Sequence, residues 1–198
     1  MEHKAHLGKD KKLKKIIDKQ ETKSLAKRNN IHLELCRSIM SQQLSTKVAA
    51  VIYRRFLNLF ESKIPSPQDI LSIPFDELKA IGLSNSKTHY VRNVCEFFIE
   101  QKLKDKNLHS LSNDAIIEKL ITIKGVGRWT IEMLLMFTMA REDVFAVDDL
   151  GIQQAMTKLY GIDTTDKKHL KKEMIRLSEK WSPYRTYACL YLWAWKDA

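Results

Sequence analysis

No stretch of this chain stays apolar long enough to cross a bilayer, and none alternates apolar and polar residues between turn signals as a half-buried strand does. The first absence argues against a membrane span, and the second leaves helices as the building material. Glu2, His3 and Lys4 open a segment that never builds an apolar run, so no signal peptide is expected. Cysteine is scarce: Cys36, Cys95 and Cys189 lie far apart, which supplies neither metal-ligand spacing nor a disulfide framework and points to a reducing compartment. Glycine and proline are scarce too, 6 and 4 in 198 residues, so each one is punctuation worth reading. Internal repeats and low-complexity linkers are absent.

What the chain has in excess is positive charge. Its 34 Lys and Arg face 24 Asp and Glu, a net +10, which favours a polyanionic partner and says nothing about sequence specificity. A chain of this size buries about 70% of its unfolded surface, enough for a core without staples. The fold expected is all-α. Helical periodicity and punctuation place helices at 31–42, 46–60, 67–73, 75–81, 86–102, 113–122, 128–140, 149–160, 166–180 and 183–195, with a short one around Lys12 to Asp18. Ser66-Pro67 and Ser182-Pro183 each read as a cap followed by proline at the first helical position. Leu111-Ser112 before Ile116 has the spacing of a hydrophobic staple, and Gly82 and Gly161 sit where helix C-terminal glycines belong. The Lys23–Arg28 run reads either as a solvated face or as a DNA-tracking surface.

Two stretches carry chemistry. Ile121-Thr-Ile-Lys-Gly-Val-Gly-Arg-Trp-Thr-Ile-Glu-Met133 puts Gly125 and Gly127 in a tight hairpin between two helices. Glycine there permits a left-handed backbone and close approach of a phosphate, and the helix starting near Arg128 turns its unpaired N–H groups toward that phosphate. Lys124 and Arg128 add charge on either side, and Val126 and Thr130 complete the contact segment. Downstream, Phe145-Ala-Val-Asp-Asp-Leu-Gly151 offers two carboxylates. A fixed, ionised carboxylate stabilises an oxocarbenium-like sugar or orients an attacking water. The residues alone do not separate Asp148 from Asp149, and either one can cap the next helix.

With these two stretches, Ser38-Ile-Met-Ser-Gln-Gln-Leu-Ser45, Leu78-Lys-Ala-Ile-Gly-Leu-Ser84 and Trp181-Ser-Pro-Tyr-Arg-Thr-Tyr187 running into Leu192-Trp193 stand in an order that resembles the helix-hairpin-helix DNA glycosylases, most closely the 3-methyladenine DNA glycosylase II branch. The resemblance covers roughly residues 35 to 195. It implies two helical lobes around a cleft, 31–146 carrying the hairpin and 1–30 joined to 147–198. It selects Asp149 as the catalytic residue and leaves capping to Asp148. It places Trp129 and Trp193 beside a flipped base, with Met133 and Tyr184 as lining, and the wedge that fills the vacated stack at Gln43 or Leu44, just before Ser45. It also implies a structural monovalent cation on the backbone carbonyls of Ile121, Ile123 and Gly125, with no other cofactor. Ala146 departs from the pattern, because relatives often carry proline nearby, and a looser catalytic loop is the expectation.

Trp129 occupies the position where lyase-active relatives have a lysine, so no Schiff base is expected, and the four cysteines of an iron–sulfur cluster are missing. The reading is therefore a monofunctional glycosylase acting on double-stranded DNA with alkylated purines such as 3-methyladenine or 7-methylguanine. Their positive charge gains roughly 0.5–2 kcal/mol by stacking on tryptophan. The alternatives are a glycosylase for a neutral lesion, for which Glu132 is the one nearby polar candidate, and a non-catalytic binding module. A cytoplasmic monomer is expected, nucleoid-associated if bacterial, and Trp193 also fits a core stripe with Tyr187, Leu190, Tyr191 and Ala194.

Overall fold

The computed structural model describes residues 2–21, 23–61 and 64–197. Within them regular structure is helical: α1 Glu2–Leu7, α2 Lys11–Ile17, α3 Ile31–Ser41, α4 Thr46–Leu57, α5 Pro67–Ser72, α6 Phe75–Ala80, α7 Asn85–Glu100, α8 Asp105–His109, α9 Asn113–Leu120, α10 Arg128–Phe137, α11 Leu150–Tyr160, α12 Lys167–Ser178 and α13 Arg185–Lys196. No helix among the described residues is long and apolar enough to cross a membrane. By packing, the chain divides into a hairpin unit, Arg28–Leu134, and a terminal unit, Met1–Lys27 with Leu135–Ala198.

In the hairpin unit α3 packs on α4 and α7, and α5 packs on α7. Ile31, Leu35, Cys36 and Ile39 recur at helical spacing along the buried face of α3 and meet the Val91, Val94, Cys95 and Phe98 face of α7. Side-chain caps start the helices the sequence marks. Ser66 and Asp69 form a capping box before α5, and Ser112 accepts from the Ala115 N–H before α9. The start of α3 follows another rule. Asn30 is left-handed with φ 63° and gives no side-chain cap. Asp105 of α8 supplies it instead, accepting from Asn30 N at 2.5 Å and Ile31 N at 3.2 Å. α8 is five residues long and α1 reads Glu-His-Lys-Ala-His-Leu, so neither shows a periodic apolar stripe and both escape a sequence reading.

In the terminal unit α2 packs on α11 and α13, and α11 on α13. Asp10 anchors this arrangement. Its buried carboxylate caps α2 through Lys12 N and Leu13 N and accepts from Tyr160 Oη at 2.6 Å, Lys180 Nζ at 2.8 Å and Trp181 Nε1 at 3.1 Å. Burial opposes its ionisation, but these donors outweigh it and lower the pKa to about 2.

Three expectations change here. α10 stops at Phe137, not near 140, because Ala140 turns left-handed at φ 54° and Arg141 N closes back on Leu135 O. Ser182-Pro183 does not cap a helix: α13 starts at Arg185, and the Ser182 hydroxyl donates to Asp143 at 2.8 Å. The boundary between units falls at Leu134, not 146, since Arg141, Glu142, Asp143 and Val144 all bond to Ser182–Tyr187.

Candidate functional site

The Ile121–Gly127 hairpin joins α9 to α10, with Val126 N donating to Ile123 O at 3.0 Å. Its two glycines do different things. Gly125 has φ +102°, and a Cβ there would stand 2.2 Å from Tyr90 Cγ, so the fold excludes a side chain both by backbone conformation and by space. Gly127 has no positive φ, and nothing lies within 4 Å of the Cβ it lacks. That gap leaves open space beside the backbone at Gly127. From α7, Tyr90 packs on the turn and Asn93 Nδ2 holds the Lys124 carbonyl at 3.0 Å. Neither residue stands out in the sequence; the one signal is their spacing of three on a helix.

Lys124 is exposed, whereas the Arg128 guanidinium folds along α10 to Glu132 Oε1 at 3.0 Å. Glu132 is buried, which removes it as a reader of a neutral base. Thr130 is buried as well, so its side chain cannot touch a nucleic acid, contrary to expectation. Trp129 is exposed and Met133 half-buried; four residues apart, they share one face of α10. The carbonyls of Ile121, Ile123 and Gly125 form an uncharged oxygen donor set. Ile123 O accepts one N–H and retains a second lone pair, a set that suits a hard monovalent cation. Among the described residues no group of His, Cys, Asp or Glu could hold a metal.

Also in this unit, Gln43 is left-handed with φ 58°, a costly conformation for a residue with a side chain. Next to it Leu44 is exposed, and Ser45 caps α4 by accepting from Val48 N at 3.4 Å. Lys87 of α7 secures this turn, donating to Met40 O at 3.0 Å and Gln42 O at 2.6 Å, and its burial lowers the ammonium pKa.

In the terminal unit Asp149 caps α11. Its Oδ1 accepts from Ile152 N at 2.9 Å and from the Trp193 indole N–H at 2.8 Å. Gly151 leaves room for the second bond, since a Cβ there would crowd it at 3.0 Å from Trp193 Cδ1 and 3.1 Å from Asp149 Oδ1. The Trp193 ring lies 5.9 Å from that of Phe137. Asp148 does not cap, as the resemblance implied; it forms an ion pair with Lys171.

The loop that aims Asp149 is firmly held. Ala146 is buried and its carbonyl accepts from Asp149 N, while Gln153 Nε2 donates to Val147 O at 2.9 Å. Upstream, Asp143 accepts from Arg185 Nε at 2.6 Å and Nη2 at 2.8 Å, and Val144 N donates to Thr186 Oγ1 at 3.0 Å. Burial works against the Asp143 charge, but the bonds from Arg185 and Ser182 prevail and hold its carboxyl below the usual range. The absence of proline near Ala146 therefore does not loosen the loop. The Trp181–Tyr187 block is its brace, a role the sequence left without an assignment.

Tyr184 is no pocket wall. Its hydroxyl donates to Glu2 at 3.1 Å and its ring lies 5.5 Å from His6, at the opposite end of α13 from Trp193. A cavity of about 780 Å³ lies beside Asp10, Tyr160 and Trp181. It sits at the far end of α11 from Asp149, roughly 16 Å away at 1.5 Å per residue. It is not part of this site.

A model described as HhH-GPD superfamily base excision DNA repair protein matches residues 36–183. The chain is 34% identical to DNA-3-methyladenine glycosylase 1 of Schizosaccharomyces pombe over 92% of its own length and 80% of that protein's. It is 32% identical to the putative DNA-3-methyladenine glycosylase YfjP of Bacillus subtilis, covering 80% of this chain and 56% of that one. Two solved structures superpose closely. One is a DNA-3-methyladenine glycosidase from Bacillus halodurans, with TM-score 0.86, 35% identity, and 98% and 88% of the two chains covered. The other is the S. pombe 3-methyladenine DNA glycosylase Mag1 in complex with abasic DNA, with TM-score 0.87, 31% identity, and 100% and 98% covered.

Proposed function

The chain belongs to the HhH-GPD superfamily of base excision DNA repair proteins, and from that premise we propose that it is a monofunctional DNA glycosylase that hydrolyses the N-glycosidic bond of alkylated purines, 3-methyladenine and 7-methylguanine among them. The observation that carries this reading is Asp149: a carboxylate on a braced loop, oriented by the N-terminus of α11 and by the Trp193 N–H. Relatives named as 3-methyladenine glycosylases supply the substrate class.

The chemistry follows from the charges. When the bond between the base nitrogen and C1′ breaks, its electron pair leaves with the base, and a cationic alkylpurine departs neutral. Positive charge then grows on the sugar, opposite the fixed carboxylate, which needs no reorganisation to stabilise it. Water adds to C1′ and its surplus proton passes to solvent. Trp129 has no amine with which to capture the sugar, so the product is an intact strand with an abasic site. Its exposed ring suits stacking on a cationic base, and Met133 extends the same face.

Binding is assigned to the hairpin. The N–H groups at Gly127 and Arg128 hold a phosphate regardless of sequence, with Lys124 adding charge. Where a cation sits on the Ile121, Ile123 and Gly125 carbonyls, it adds positive charge to that phosphate contact. The strained turn at Gln43 and Leu44, secured by Lys87, is the element suited to fill the stack left by an extruded base. The protein is expected to act as a cytoplasmic monomer.

The deciding experiment follows free base released from methylated duplex DNA by wild type and Asp149→Asn. Release of 3-methyladenine that collapses in the variant supports the reading. A folded, DNA-binding wild type that releases no alkylated base overturns it in favour of a neutral lesion or a binding module.

A further inference from the structure

Helix α12 begins Lys167-Lys168-His169-Leu170-Lys171-Lys172, with Leu170 buried and the four lysines exposed. Lys167 and Lys168 occupy the first turn behind the capping Asp166, where cations oppose the helix dipole, an arrangement that α2 shares with Lys11 and Lys12 behind Asp10. Lys171 also reaches Asp148, the residue next to Asp149. Adjacent Cα atoms lie about 3.8 Å apart, so the Lys171 ammonium stands on the order of 10 Å from the Asp149 carboxylate, about one Debye length at 0.1 M salt.

We infer that this lysine row is a second contact for the DNA sugar–phosphate backbone, carried by the terminal unit and centred on the strand that presents its sugar to Asp149. The inference rests on the role proposed for Asp149. A DNA strand carries a phosphate about every 3.4 Å along the helix axis, so a sugar at Asp149 brings several phosphates within reach of Lys171 and its neighbours. Lys167 and Lys171 lie four apart, as do Lys168 and Lys172, so each pair follows the helix as a short charged ridge. Lys168, Lys171 and Lys172 line one shallow groove with Ile175, Arg176 and a single carboxylate, Glu179. Asp148 holds Lys171 while DNA is absent. On binding, Lys171 exchanges a partly exposed carboxylate for a phosphate, and the anionic Asp148 is left to oppose the backbone.

That exchange makes a prediction a purely structural ion pair does not. Lys171→Gln and Asp148→Asn break the same pair, yet they should move DNA affinity in opposite directions. Binding of a duplex with an abasic-site analogue is measured by fluorescence anisotropy from 50 to 200 mM salt, with circular dichroism as the folding control. Lys171→Gln should weaken binding and lower the salt slope by about 0.9. Asp148→Asn should tighten binding by a few-fold. The combined Lys167→Gln, Lys168→Gln, Lys171→Gln, Lys172→Gln variant should bind at least about tenfold more weakly at 50 mM salt, with a slope shallower by roughly 2 to 3.5. Its melting temperature should hold or rise, because charge that opposes the helix dipole is removed. Equal losses in Lys171→Gln and Asp148→Asn, or a combined variant with wild-type affinity and slope, would overturn the inference. Because binding is read without turnover, failure of wild type to release base would count against the catalytic assignment and leave the charge-reversal result readable.

Discussion

At Gly125 the chain takes a left-handed turn closed by the Val126–Ile123 hydrogen bond, and α7 packs against a shape that glycine already permits. At Asp149, by contrast, the loop and its carboxylate are fixed by side chains 42 to 44 residues downstream: Arg185 on Asp143, Thr186 on Val144, and Trp193 on Asp149 itself. Both segments lead into a helix N-terminus, and the roles proposed for them account for the difference. A phosphate anchor needs open N–H groups and tolerates small shifts, so local backbone suffices. A carboxylate that must face a developing charge needs a fixed direction, which only a packed, non-local frame supplies.

The strongest break of this comparison is Asp149→Asn. Base release should fall on the order of a hundredfold or more, while affinity for an abasic-site duplex stays within about threefold. Parallel loss of both would mean that Asp149 belongs to the anchor. Trp193→Phe comes next. It keeps an aromatic ring, though a smaller one, and removes the N–H, so a hydrogen bond to a charged group worth about 1.5–3 kcal/mol is lost. Single-turnover kcat should drop roughly tenfold or more with KM little changed. A rise in KM alone would assign Trp193 to base stacking instead.

The glycines test the other side. Gly125→Ala meets Tyr90 at 2.2 Å in a left-handed backbone and should cost about 2 kcal/mol or more in thermal or urea unfolding, taking DNA affinity with it. Gly127→Ala meets nothing within 4 Å, should shift stability by less than about 0.5 kcal/mol, and should still weaken binding a few-fold. Equal stability losses at the two positions would erase the distinction between a glycine the fold needs and one the ligand needs.

Acid sharpens the contrast between the units. Asp10 of the terminal unit has a folded pKa of about 2, below the ordinary carboxylate value of 3.8. The depressed value means its contribution is present above about pH 4 and is lost as pH falls toward 2. That contribution is about 2 kcal/mol. Asp143 acts in the same direction. Asp10→Asn should flatten the acid limb of the stability profile, and an unaltered limb would place the acid sensitivity elsewhere.

Much of the frame is legible in residue order. Ser66, Ser112 and Gly161 mark helix ends where the structure has them, and the Gly-x-Gly step marks the hairpin, because caps and left-handed turns are decided by residues a few positions apart. Asp105 capping α3, Lys87 holding the Gln42 turn, and Trp181–Tyr187 bracing the Asp149 loop are not legible, since each joins positions that only packing brings together. Tyr184 shows the same limit from the other side: likeness put it in the pocket, while its position at the start of α13 ties it to Glu2.

The sequence by itself determined an all-helical chain, a tight Gly-x-Gly hairpin, a polyanionic partner and the missing lyase amine, all properties of composition and near neighbours. Tertiary structure alone decided that Asp149 and not Asp148 meets the Trp193 N–H, that a Cβ at Gly151 would crowd this bond, and that Asp148 is paired with Lys171. The physical reason is that the direction of a side chain depends on what packs around it, and the partners here come from helices far apart along the chain.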